Sequence, residues 1–239
     1  MQNLNDNNLT SLNEKDIENF NTAMSMYENC YTDKELIEFL NKGSIVEKQI
    51  AALKIKKINT AEQAEIFMNN LTNCDGKIRE AVSFRLEELI SQNPDLYINF
   101  HDKFLDAIID INGNICRNTI SALKPLKNIP FFTNIFCEKL CKNTLGLAKK
   151  AIHFDIQDGK YKINKEIFKL YWYLETIFEF HSYIPIDKLS EILYLTKSVH
   201  DYTIREKTAK ILSVFQKIGH LQKIQDELKQ DQNYYVRRF

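Results

Sequence analysis

The sequence predicts an all-α protein, a right-handed α-solenoid (α-α superhelix) of about five stacked helical hairpins, and three observations carry that expectation. Glycine and proline are scarce, six and four in 239 residues, so turns are few and helical runs long. Apolar positions recur at helical spacing from about Glu14 almost to the C-terminus. A short turn motif also returns at intervals of 32 to 48 residues, the length of two helices and their turns.

The motif is Asp or Asn, two variable residues, Ile or Val, and then usually Arg. It stands at Asp75 to Arg79, Asn112 to Cys116, Asp201 to Arg205 and Asn233 to Arg237, with weaker copies at Lys42 to Val46 and Lys160 to Asn164. Residues 4, 8 and 11 positions beyond the Ile fall on one helical stripe. They are Val82, Leu86 and Leu89 in one copy, Thr119, Leu123 and Leu126 in the next, then Ile167, Tyr171 and Leu174, and Thr208, Leu212 and Phe215. After Ile45 the stripe degrades, because Gln49 and Lys56 flank Leu53.

A second amphipathic helix lies between copies, as in TAEQAEIFMNNL before Asp75 and PIDKLSEILYLTK before Asp201. Each unit is therefore a hairpin, helix A followed by helix B. One hairpin cannot bury both apolar faces, so neighbours must stack.

The two-helix period near 40, the Asp/Asn turn, the Ile or Val opening helix B and the Arg after it resemble HEAT or HEAT-like repeats, with armadillo-type repeats next nearest. The resemblance covers residues 31–239. It implies a ladder between adjacent repeats, with Asp75 and Asp201 as acids and Arg79, Arg205 and Arg237 as bases. Asn112 and Asn233 share the turn position, while Cys116 and Asn164 take the arginine slot and interrupt the ladder.

Composition narrows the class further. The first dozen residues, MQNLNDNNLTSL, are polar and without helical period, so residues 1–13 are expected as a mobile tail and 14–239 as one repeat domain. No N-terminal leader pattern and no run of about 20 apolar residues occurs, so a cytoplasmic location is expected. Five irregularly spaced cysteines fit reduced thiols better than a disulfide framework. Formal net charge is zero, yet residues 1–95 hold 10 basic and 16 acidic side chains against 22 and 16 in 96–239. Such polarity can orient a partner or drive head-to-tail association.

An insertion near 143–162 accounts for the longest interval; a short extra helix and then a loop with a turn at Asp158-Gly159 are expected there. It carries His153, Asp155 and Asp158, an imidazole and two carboxylates whose spacing fixes no geometry. Cys137 and Cys141 share a helix face, but zinc needs four ligands, so a core thiol pair is the expectation. His101-Asp102 and His200-Asp201 invite comparison with HD-type metal phosphohydrolases, which need further ligands; Asp201 already serves a turn.

Tyr171, Trp172 and Tyr173, with Phe168, Phe178 and Phe180, form the densest aromatic cluster, core in the main, with Trp172 or Tyr173 available to a partner. Lys139, Lys142, Lys149, Lys150, Lys160 and Lys162, with Arg237 and Arg238, make a candidate basic patch. A DNA-glycosylase-like, nucleic-acid-binding alternative has that patch in its favour. One tryptophan and zero net charge stand against it.

The functional expectation is a non-catalytic scaffold or adaptor that holds a protein partner on the helix-B face or adjoining loops. Lys77, Glu80, Ser83 and Glu87 are the polar positions the stripe does not consume, continued by Asn114, Arg117, Ile120 and Lys124. A metal-dependent hydrolase is the remaining alternative, and the scaffold reading needs no cofactor. The last motif opens only just before Phe239, which leaves a cap or an apolar edge for self-association.

Overall fold

A computed structural model describes residues 13–153, 164–215 and 219–239 of the protein. The regular elements among them are all helical. They are α1 (Glu14–Glu28), α2 (Asp33–Lys42), α3 (Ile45–Lys54), α4 (Ala61–Leu71), α5 (Gly76–Gln92), α6 (His101–Ile108) and α7 (Gly113–Ala122). There follow α8 (Pro130–Ala151), α9 (Lys165–Phe180), α10 (Ile186–Thr196), α11 (Tyr202–Leu212), α12 (Gly219–Leu228) and α13 (Tyr234–Arg237), with short 3-10 turns after α5, α7 and α9. No helix among the described residues is long and apolar enough to cross a membrane. The chain divides into two compact units, Met1–Arg85 and Leu86–Phe239.

In the first unit, α2 packs on α3 and α4, and α1 packs on α3. Capping boxes start α2 and α3: the Glu35 and Glu47 N–H groups donate to the Thr32 and Ser44 hydroxyls, and each glutamate accepts the cap's own N–H in return. Gly43 makes the tight turn between these helices possible, since a Cβ there would lie 2.6 Å from the Phe39 carbonyl oxygen. The C-terminal end of α1 is tied down by Lys54, whose Nζ donates to the carbonyls of Met26 (2.7 Å) and Asn29 (2.9 Å).

In the second unit, α6, α8, α10 and α12 pack successively on one another, and so do α7, α9, α11 and α13. Hairpin partners α6/α7, α8/α9 and α10/α11 join the two rows. A chain of rings runs through the core: His101 stacks on Phe132 (5.0 Å), Phe132 on Phe136 (5.2 Å), and Phe136 meets Phe180 (5.0 Å).

The recurrent motif has a repeated structure. Asp75, Asn112, Asp201 and Asn233 each accept a bond from the N–H two residues on, at 2.8 to 2.9 Å, and so cap helix B. The arginine four residues later folds back onto the turn that precedes helix B. Arg79 Nη1 donates to the carbonyls of Asn73 and Cys74, Arg205 Nη1 to Val199 and His200, and Arg237 Nη1 to Asp231 and Gln232. The Cys116 thiol does the same to Asp110 (3.1 Å). These bonds satisfy carbonyls of the turn between helices A and B, which no ladder of either helix reaches.

Three expectations need correction. The acid paired with Arg205 is Asp231, by Nε to Oδ2 (2.6 Å) and Nη2 to Oδ1 (3.2 Å), because Asp201 spends its carboxylate on Thr203. The two weak motif copies are out of register. The caps there are Ser44 and Asn164, so Ile45 is the first helical residue and half exposed (51%), and the packing stripe of α9 is Leu170, Leu174 and Ile177. Asn143 begins no separate helix, since α8 runs unbroken to Ala151 with Leu140, Thr144, Ala148 and Ala151 buried along one side. Residues 1–12 of the expected tail and the turn at Asp158-Gly159 lie outside the described residues.

Candidate functional site

The predicted helix-B surface is only partly a surface. Lys77, Glu87, Asn114, Arg117 and Lys124 are exposed and Glu80 is half-buried, but Ser83 (1% exposed) and Ile120 (7%) are core. Ala81, Val82 and Ser83 are buried in succession, so the core face of α5 is wider than one stripe, and it is Phe84 (68%) that emerges. Ser83 donates its hydroxyl to the Glu80 carbonyl (2.8 Å), a bond within its own helix. Lys77, Glu80 and Ser83 belong to the first unit; Glu87, Asn114 and Arg117 belong to the second.

Trp172 and Tyr173 are likewise inside, 8% and 4% exposed, which removes them as partner contacts. Trp172 packs edge-on to Tyr171 (5.3 Å) and closely approaches Gly113, while the Tyr173 hydroxyl meets Asn143 (3.5 Å). The buried side of α9 takes in Leu170, Tyr173, Leu174 and Ile177 as well as Trp172, so it is wider than the predicted stripe of Ile167, Tyr171 and Leu174.

The candidate reactive groups are occupied or inert. Burial pushes the Cys137 thiol up to about 12 and the Cys141 thiol up to about 11, so both stay protonated at neutral pH. His101 is buried against Phe132, and desolvation, then the nearby Lys139 charge, lower its pKa; Asp102 binds Lys139 (2.7 Å). His200 is exposed and its carbonyl accepts from Arg205, while Asp201 is a helix cap. His153 is exposed, and Asp155, Asp158, Lys160 and Lys162 lie outside the described residues. No group of three metal-ligating side chains occurs among the described residues.

The two rows of the second unit differ in how they use their cations. On the helix-B row, Lys207 and Lys210 both bind Glu175 (2.6 and 2.9 Å), and each sits over a ring, Tyr171 at 4.4 Å and Phe178 at 4.1 Å. Burial raises the Glu175 carboxyl, but the bonds and charges of the two lysines outweigh it and hold the pKa below the ordinary value. Burial likewise depresses Lys207, and Glu175 more than compensates. That cluster is closed on itself.

The helix-A row is open. Between α8 and α10 lies a cavity of about 500 Å³ that includes Cys137, Cys141, Leu145, Tyr183 and Lys188 in its lining. Beside it, along α8, α10 and α12, a second of about 460 Å³ includes Lys149, Tyr194, Leu195, Lys223 and Ile224, and Glu191 borders both. Two lysines here are paired, Lys149 with Glu191 (3.7 Å) and Lys197 with Glu227, the latter lysine also lying over the Tyr194 ring at 4.9 Å. Lys142, Lys188 and Lys223 have no carboxylate within ion-pair distance among the described residues, and Tyr194 is 63% exposed.

The result is an apolar-floored groove with unpaired positive charge on its rim. Sequence reasoning had Lys142 and Lys149 in hand as part of a candidate basic patch and missed Lys188, Tyr194 and Lys223. Their shared position on successive A helices was the available signal. Comparison with known proteins finds no matching family, no similar curated protein and no matching solved structure.

Proposed function

We propose that the chain is a non-catalytic interaction scaffold. Its helical pairs stack as a HEAT-like right-handed solenoid, and the groove on the α8, α10 and α12 row holds an acidic, amphipathic segment of a partner protein. The stacking proposal draws on the successive packing of A helices and of B helices in the second unit. The single observation that carries the binding reading is the contrast between rows: Lys207 and Lys210 of α11 are neutralised by Glu175 of α9, whereas Lys142, Lys188 and Lys223 around an apolar groove on α8, α10 and α12 have no carboxylate partner among the described residues. Unpaired cations beside apolar surface suit a helix that carries carboxylates and apolar anchors together.

A polyanion fits less well, because Glu138, Glu191 and Glu227 stand in the same groove and would repel consecutive phosphates. Selection of displayed random peptides on the intact protein tests the proposal. Recovered sequences are expected to be acidic with apolar residues at i, i+4 and i+7, and to lose roughly tenfold or more in affinity for a Lys188→Glu, Lys223→Glu double variant. Peptides of other chemistry, undiminished binding to that variant, or preferential binding of single-stranded oligonucleotides would overturn it.

A further inference from the structure

The face that fits this groove is present in the chain itself. α1 exposes Ile17 (47%), Phe20 (62%), Met24 (41%) and Tyr27 (58%), and Met26 is its only buried residue. Phe20, Met24 and Tyr27 stand at i, i+4 and i+7, the spacing of anchors on a groove-bound helix. The same helix carries Glu14, Asp16, Glu18 and Glu28 against one lysine, Lys15. It is thus an acidic amphipathic helix whose apolar stripe the described residues leave uncovered. Lys54 holds its C-terminal carbonyls, which presents the stripe on a fixed support rather than on a loose arm.

We infer that the occupant of the α8, α10 and α12 groove is α1 of a second copy of this chain, an inference that rests on the groove reading above. Charge complementarity carries it. The acidic flanks of α1 face the unpaired Lys142, Lys188 and Lys223, and the whole units agree in sign: Met1–Arg85 has 10 basic and 13 acidic residues, Leu86–Phe239 has 22 and 19. Size agrees as well. Fifteen residues of helix extend about 22 Å, and three helices packed side by side span about 16 to 20 Å between the outer axes.

Such a contact is heterologous, since two different surfaces meet, so each bound copy presents a free groove or a free α1 for the next. Mass therefore climbs with concentration without stopping at a dimer. One helix in one groove covers less than the roughly 1,200 Å² of a standard stable interface, so the association is weak and reversible. It weakens further in salt, which screens charges across about 8 Å at physiological strength.

Sedimentation equilibrium on the full chain at low and high salt tests this, using two variants that alter exposed side chains. Phe20→Glu, Met24→Glu disables α1, and Lys188→Glu, Lys223→Glu disables the groove; unchanged melting curves check that both fold. Wild-type protein is expected to associate with increasing concentration, each variant alone to remain monomeric, and the two mixed to form a one-to-one complex and nothing larger. That complex arises because each variant retains the surface the other lacks.

A wild-type chain that stays monomeric at low salt overturns the inference, as does self-association that survives in both variants or is abolished instead by Tyr234→Glu, Tyr235→Glu. In each of those cases, selected acidic peptides that still bind wild type and not the groove variant leave the scaffold reading standing. Peptides that fail as well remove both.

Discussion

Thr119 and Thr208 occupy the same slot of two repeats, are both fully buried, and differ in their bonding. The Thr208 hydroxyl has Thr196 Oγ1 at 2.8 Å and the Ile204 carbonyl at 2.9 Å, whereas Thr119 Oγ1 has no hydrogen-bond partner among the described residues. A buried unmade hydrogen bond costs more than a missing group. Thr119→Val is therefore expected to be neutral or to stabilise by about 1 kcal/mol, and Thr208→Val to destabilise by about 1 kcal/mol, as read from urea midpoints.

His101 gives a second test at this scale. Its folded pKa lies below the unfolded value because burial and then Lys139 disfavour the charged ring. The unfolded chain therefore takes up the proton first, so stability holds above about pH 6.5 and falls as pH drops below it. His101→Phe, which keeps a ring beside Phe132, should flatten that decline in denaturation curves taken between pH 5 and 7. At the level of single residues the helix caps were legible, since Asp or Asn before a periodic run has one physical use. The burial of Ser83 and Trp172 was not, because width and rotation of a core face depend on neighbours that no local pattern encodes.

At the scale of elements, the arginine after the turn joins one helix to the next. Arg205 holds the turn between α10 and α11 through the Val199 and His200 carbonyls and also holds Asp231, whose carboxyl lies below its ordinary value chiefly through the Arg205 bond. With both side chains mostly buried, Arg205→Ala should cost about 2 to 3 kcal/mol, and Arg205→Lys most of that, since an ammonium cannot span both sets of acceptors. The carboxylate's share is present above about pH 4 and lost as pH falls through the depressed Asp231 value.

Lys54 is the corresponding tie for α1. Lys54→Met should speed amide exchange in α1, with little change in α2 and α4, because it removes bonds to Met26 and Asn29 while keeping the stem. The existence of these elements was readable from period and caps. The registers of α3 and α9 were not, because Ile45 and Ile163 satisfied the motif as letters while Ser44 and Asn164, the better caps, set the starts. The unbroken run of α8 past Gly146 came from a continuing buried stripe, against the separate short helix suggested by the long interval.

For the whole molecule, the alternation of helices A and B was legible as a period, and the successive packing within each row of the second unit is its physical counterpart. The pairing of charges was not legible. The sequence pointed to polar positions on the B helices α5 and α7, but it could not show that Lys207 and Lys210 of α11 are neutralised by Glu175 and by the Tyr171 and Phe178 rings of α9. Unpaired charge can be recognised only once the pairs are known, and it is on that basis that the A row is proposed as the binding face.

The measurement that tests this most directly is hydrogen–deuterium exchange of the intact protein, dilute enough to be monomeric, with and without a saturating selected acidic peptide. Protection confined to α8, α10 and α12 is the expected result. Protection on α7, α9 and α11 instead, or no protection in the second unit at all, would contradict the account.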